Sequence, residues 1–254
     1  MTEIQVYPDS ARLAQAAAES VISAGEAAIA ARRRFSIALA GGSTPAPLYR
    51  LLATEQYAAQ LDWRAVHVFW GDERCVPPQH SSSNYHMVRE ALLDRVPIPP
   101  DNIHRMRGED DPVQAALAYE DALRAHFGGS PRFDLVLLGM GADGHTASLF
   151  PGAPALAERT RLAVAVYAAN RSSWRVTLTY PALNAAAHVM FLVTSSEKAD
   201  TLRAVLEGPH RPVDLPAQGV RPHAGRVLWL ADADAAAQLS GTRRSEGSGH
   251  SDTS

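Results

Sequence analysis

The chain has 254 residues, a formal net charge of -3 and a pI near 6.4, and 46% of its residues are hydrophobic. That length suits one large α/β core, and the charge balance argues against a polyanion-binding surface, so no nucleic-acid partner is expected. The single cysteine, Cys75, rules out an intrachain disulfide and a thiolate zinc cluster.

The opening "MTEIQVYPDS" lacks the basic-then-apolar pattern of a signal peptide. No apolar run reaches membrane-spanning length, so the expectation is a cytoplasmic protein without a membrane partner. Apolar residues at helical spacing from Ser10 to Arg33 predict a first helix. "FSIALA" follows as a buried strand, then the turn "GGSTP" and a helix over "APLYRLLATEQYAAQ". "AVHVFWG" is a second strand, "DERCVPPQHSSSNYH" a long polar loop, and "NYHMVREALLDRV" a helix that "PIPPDN" breaks. Asp111 before Pro112 and Gly128 after Phe127 bracket the next helix. "FDLVLLG" is the third strand, and "RLAVAVY", "WRVTLTY" and "AHVMFLVT" are further candidates, with a short helical "PALNAA" before the last. "SEKADTLRAVLEG" predicts a helix, "GRVLWLAD" a late strand and "ADAAAQL" a closing helix.

Continuous apolar strands alternating with helices predict a mostly parallel sheet covered on both faces, in one domain over residues 1–240. Residues 241–254, "GTRRSEGSGHSDTS", read as a disordered polar tail. In such sheets ligands bind beyond the carboxyl ends of the strands, where "GGSTP", "GDER" and "GMGADGHT" all fall.

Gly139, Gly141 and Gly144 spell G-x-G-x-x-G directly after a strand, the spacing of a dinucleotide turn. The reading fails on its context. Phe150, Pro151 and Gly152 stop any helix within a turn or two, and the next strand, "LAVAVY", carries no carboxylate at its tip. The glycines instead allow a sharp bend that sets Asp143 and His145 at the mouth of the sheet. An imidazole there can act as a general base and then as an acid; the alternative is a polar turn or a helix cap.

In "GGSTP", Gly41 and Gly42 permit close backbone approach to an anion, while Ser43 or Thr44 can cap the following helix. In "GDER", Arg74 can face a substrate carbonyl or carboxylate with Asp72 orienting a neighbour; the alternative is a set of mutually paired surface charges. Arg175 opens a strand, and Lys198 is the only lysine in the chain. An arginine and a lysine converging on the "GGST" amides would hold a dianionic phosphate. His80, His86 and His104 are scattered, without metal-ligand spacing, so neither a metal nor a cofactor is expected. No G-x-S-x-G elbow occurs, and Cys75 has no base partner in the sequence.

"AGGSTP", "WGDER", "SSSNY", "GMGADGHTASLFPG", "RVTLTYPALN" and the Lys198 segment together resemble the 6-phosphogluconolactonase family, relatives of the glucosamine-6-phosphate isomerase/deaminases. The likeness runs from about Ile4 to Leu239. It implies a Rossmann-like three-layer α/β/α sandwich and cofactor-free hydrolysis of 6-phosphoglucono-1,5-lactone to 6-phosphogluconate in the pentose phosphate pathway. It further implies a phosphate site from Gly42, Ser43, Arg175 and Lys198. His145 would then be the general base, Asp143 its geometric partner, and Arg74 the contact to the lactone end. The expected partner is the sugar-phosphate lactone, and the expected state is a monomer or weak homo-oligomer. The deaminase branch is similar to a sequence with a further acid after D-G-H, whereas "TASLFPG" has none. A non-catalytic sugar-phosphate-binding regulator would need no Asp143/His145 pair.

Overall fold

The computed structural model describes residues 2–129, 131–168 and 172–240. The expected polar tail over 241–254 lies outside the described residues.

Six parallel strands form the central sheet: β1 (Thr2–Tyr7), β2 (Phe35–Leu39), β3 (Val66–Trp70), β5 (Leu135–Gly139), β8 (His188–Val193) and β9 (Arg226–Asp232). Their order is β1-β9-β8-β5-β2-β3. From β2 the chain goes outward to β3, then returns to the other side at β5, so a topological switch lies between β2 and β5. That is where ligands enter open α/β sheets.

Helices cover both faces. α1 (Ser10–Arg32) lies on the face that Phe35 points to, because a side chain at Gly25 would meet Phe35. α5 (Pro112–Phe127) covers the opposite face, where Ser36 reaches His126. Adjacent strand residues point to opposite faces, which makes this a three-layer sandwich as expected. The caps follow the sequence: the Asp9 carboxylate accepts from Arg12 N, the Asp111 carboxylate from Val113 N and Gln114 N, and Gly128 closes α5 at φ 69°.

The structure departs from expectation in five places. "TEIQVY" is an edge strand whose alternating Ile4 and Val6 went unread. The predicted helix over 46–60 divides into α2 (Ala46–Leu52) and α3 (Glu55–Ala58), since Thr54 is extended and its hydroxyl donates to Leu51 O. α4 (Asn84–Ala91) stops short of the predicted end because Leu92 leaves helical geometry. "ADAAAQL" is a series of turns: the Asp232 carboxylate accepts from Ala235 N, the local bond that draws the chain out of a helix.

The fifth difference bears on function. β6 (Ala163–Ala168) and β7 (Ser173–Leu178) do not join the parallel sheet. Their connection is too short for a crossover helix, so they pair antiparallel, and β4 (Asp72–Arg74), expected as loop, adds to β7. This smaller sheet, in the order β4-β7-β6, stands at the carboxyl end of β3. Among the described residues the remaining α-helices are α6 (Tyr180–Asn184) and α7 (Ala199–Glu207).

Candidate active site

Four loops leave the carboxyl ends of the neighbouring strands β8, β5, β2 and β3 and open on one cleft of about 520 Å³. Gly41, Gly42, Ser43, Thr44, Asp72, Arg74, Asp143, His145, Arg175 and Lys198 all line it. Every site residue expected from the sequence is therefore gathered in one place.

The β2 loop is anchored by Tyr49, fully buried, whose hydroxyl bonds both Ala40 N (3.0 Å) and Ala40 O (2.8 Å). Gly42 sits at φ 93°, a conformation open to glycine at little cost. A Cβ on Gly41 would overlap the Asn84 side-chain amide, so this glycine lets α4 close against the loop. Neither Ser43 nor Thr44 caps α2, whose N-cap position is Pro45, without a side-chain hydrogen bond. Thr44 is used elsewhere: its hydroxyl lies 3.1 Å from that of Thr194 and ties the β2 loop to the β8 loop.

Beyond β3 the alternation of β4 separates the acidic pair of "DER". Asp72 and Arg74 point into the cleft, on the same side as their cross-strand partners Thr177 and Arg175. Asp72 is buried; its carboxylate accepts from Ser148 Oγ (2.7 Å) and Asn84 Nδ2 (3.2 Å) and lies 3.8 Å from Arg175 Nη1. Glu73 points the other way and accepts from Arg74 N, Asn84 N, Tyr85 N and Ser83 Oγ. Burial pushes the Glu73 carboxyl up, against the pull of those donors. The triplet is thus not a cluster of mutually paired surface charges: Glu73 clamps the start of α4, and Arg74 donates to Ser82 O at 2.6 Å.

No helix follows the glycines of the β5 loop, and the chain turns back on itself through Gly141 N to His145 O (2.9 Å) and Gly144 N to Gly141 O (3.0 Å). Gly144 adopts φ 79°. Within this turn the Asp143 carboxylate accepts from both the backbone N (3.1 Å) and ring Nδ1 (2.5 Å) of His145. The His145 bond holds the Asp143 carboxyl below its ordinary range. A Cβ on Gly141 would strike the His145 ring, which explains that glycine without a nucleotide.

Lys198 closes the cleft from the β8 loop. Asp232 at the end of β9 accepts from Ser195 N through both carboxylate oxygens (3.2 Å each), fixing that residue at φ 89°. Lys198 is half-buried, and desolvation pulls its ammonium below the usual lysine value. Asn84, Ser148 and Asp232, which hold Asp72 and Ser195, and Glu197, which lines the cleft beside Lys198, are contributors that sequence reasoning missed. "SSSNY" contained Asn84, but nothing in the chain told it from an ordinary helix start. Cys75 is pushed up to about 11, chiefly by burial, and so is a poor nucleophile at neutral pH.

A parallel sheet with an Asp–His couple, two arginines and a lysine lining one cleft at its carboxyl ends defines an α/β sandwich protein. The profile of the glucosamine-6-phosphate isomerases/6-phosphogluconolactonase family matches residues 8–229. The chain belongs to that family. It is 43% identical over 243 residues to a 6-phosphogluconolactonase of Nostoc sp. PCC 7120, covering 93% of this chain and 98% of that protein. It is 42% identical over 249 residues to the 6-phosphogluconolactonase of Mycobacterium tuberculosis, covering 94% and 98%. The solved 6-phosphogluconolactonase from Trypanosoma cruzi superposes with a TM-score of 0.85 at 33% identity, over 94% of this chain and 97% of that one. A monomeric glucosamine-6-phosphate deaminase shares the fold at 21% identity and a TM-score of 0.79. Among the described residues, no helix is long and apolar enough to cross a membrane.

Proposed function

We propose that this protein hydrolyses 6-phosphoglucono-1,5-lactone to 6-phosphogluconate, with His145 as the general base. The observation that carries the reading is the Asp143–His145 couple lining the cleft. Asp143 is a carboxylate and takes the hydrogen on Nδ1, which leaves the lone pair of the neutral ring on Nε2. A water against Nε2 gives up its proton as it attacks the lactone carbonyl carbon. The imidazolium then returns that proton to the ring oxygen as the carbon–oxygen bond breaks. A lactone is an activated ester, so no covalent nucleophile is required.

Arg74 faces the lactone end and offers its planar donors to the oxygen that gains charge. Arg175, Lys198 and the Gly41–Thr44 loop receive the phosphate, whose binding places the reacting carbon. Asp72 is a positioning residue: buried at the cleft wall, it holds Arg175 and Asn84 in place. The stretch Thr146–Gly152 brings no second carboxylate to the cleft, which favours the lactonase over the deaminase reaction.

The test measures loss of freshly generated lactone above its spontaneous hydrolysis. Wild type should show a clear excess, and His145→Ala should lose about 10²–10⁴-fold of it while still binding 6-phosphogluconate. No excess in wild type overturns the assignment, and ammonia release from glucosamine 6-phosphate would put the deaminase reaction in its place.

A further inference from the structure

Far from the cleft, three histidines with no relation in the sequence come together. His67 lies on β3, the outermost strand of the large sheet. His104 follows Ile103, which bridges in parallel to Val68 and extends that edge. His126 stands in the last turn of α5. One ring nitrogen from each lies within 4.8 Å of the other two. Ring centroids are 4.6 Å apart for His67 and His126, 5.3 Å for His104 and His126, and 5.6 Å for His67 and His104.

We propose that His67, His104 and His126 form a three-imidazole site for a divalent transition-metal ion of the zinc class, a staple joining the edge of the sheet to the end of α5.

Metal–nitrogen bonds of 2.0–2.1 Å in a tetrahedral site put ligand nitrogens about 3.3 Å apart. His67 Nδ1 and His104 Nε2 already lie 3.3 Å apart. Small rotations of the His126 ring would bring the third nitrogen in, leaving the fourth position for water. The mounting is firm: His104 N donates to Val68 O at 2.8 Å, and the His104 ring stacks on Phe69 at 4.3 Å. Ser36 Oγ lies 2.8 Å from His126 Nε2 and sets that ring, as outer partners of ligating histidines do. Ligation needs neutral imidazoles, and burial favours that form in all three, with His104 and His126 held at about 4. The rings are only partly buried, so an ion can reach them. Three nitrogen ligands without a carboxylate suit zinc, cobalt, nickel or copper rather than magnesium or calcium.

One nearby group opposes a cation. The Arg34 guanidinium donates to His126 O at 3.3 Å, and its charge bears on both His67 and His126. The site is also remote from the reaction. His67 precedes Asp72 by five residues of nearly continuous strand, which is ~16 Å at about 3.3 Å per residue. The ion therefore acts on stability, and the proposal stands apart from the lactonase reading.

The experiment uses the full chain stripped with a chelator. Cobalt(II) titration, read by its visible ligand-field bands, should saturate at one ion per chain, and zinc should displace it. Zinc at 100 times its dissociation constant should raise Tm by roughly 5–10 °C. In wild-type protein, zinc should shift the ring NMR signals of His67, His104 and His126 while leaving that of His145. His104→Gln should lose binding but keep its cooperative unfolding and its activity. Arg34→Gln should tighten binding, an effect that a purely aromatic cluster would not produce. Absence of saturable binding in wild type, or unchanged binding in His104→Gln, overturns the proposal. So does a zinc shift confined to other histidines.

Discussion

Arg74 and Arg175 stand directly opposite each other in the antiparallel pairing of β4 with β7, both facing the cleft. Like charges at a cross-strand position cost stability unless something nearby offsets them. Asp72, two residues before Arg74 and on the same face, supplies part of that offset through Arg175.

The two arginines should separate by the substrate they serve. Arg175→Met should weaken 6-phosphogluconate binding by about 10–100-fold, the loss of one charge-assisted contact of roughly 1.5–3 kcal/mol. Arg74→Met should lower kcat more than it raises KM. Steady-state kinetics beside calorimetric titration of 6-phosphogluconate decides this. Equal effects of both variants on binding alone would mean that the two side chains grip one phosphate.

The Asp143–His145 bond sets both the tautomer and the tolerance to acid. The Asp143 carboxyl titrates below the ordinary 3.8, so its contribution to stability is whole above that value and is lost only as pH falls through the lowered one. No transition in activity near neutral pH then belongs to Asp143. Asp143→Asn should lower kcat by about 10²-fold or more with the fold intact, and the pH–rate profile of the variant checks it.

Lys198 should trade stability for binding. Its ammonium is half-buried, and its folded value lies below the usual 10.5. The cost of that charge is present in full at neutral pH and fades as pH climbs through the lowered value toward 10.5. Lys198→Met should therefore raise Tm at pH 7 while raising KM, with the gain in Tm shrinking in alkaline buffer. A lower Tm with unchanged KM would return Lys198 to an ordinary helix-start residue.

Gly41→Ala tests the closure of α4 on the β2 loop. The new methyl would push the Asn84 amide off Asp72, whose backbone oxygen it now meets at 2.8 Å. We expect a stability loss of roughly 1–3 kcal/mol, the usual cost of overpacking, together with weaker 6-phosphogluconate binding. Urea unfolding and titration of that ligand provide both readings.

By itself the sequence determined the large parallel sheet and most of the residues that line the cleft. Runs such as "FDLVLLG" can only be strands buried on both faces, and the Asp111 and Gly128 caps follow from local geometry. The glycines flanking Asp143 and His145 mark a sharp turn, and the sole lysine stood out by composition. The tertiary structure alone decided how the groups meet. Whether "RLAVAVY" and "WRVTLTY" extend the parallel sheet or fold back on each other depends on the length of their connection and on an open edge for β4. That pairing settles the alternation of "DER", and with it the inward Asp72 and Arg74 and the outward Glu73. The roles of Asn84, Ser148 and Asp232 follow from hydrogen bonds across 12, 76 and 37 positions of chain, which no local pattern encodes. The meeting of His67, His104 and His126 has the same origin, because residues far apart in sequence become neighbours only when strand, bridge and helix pack.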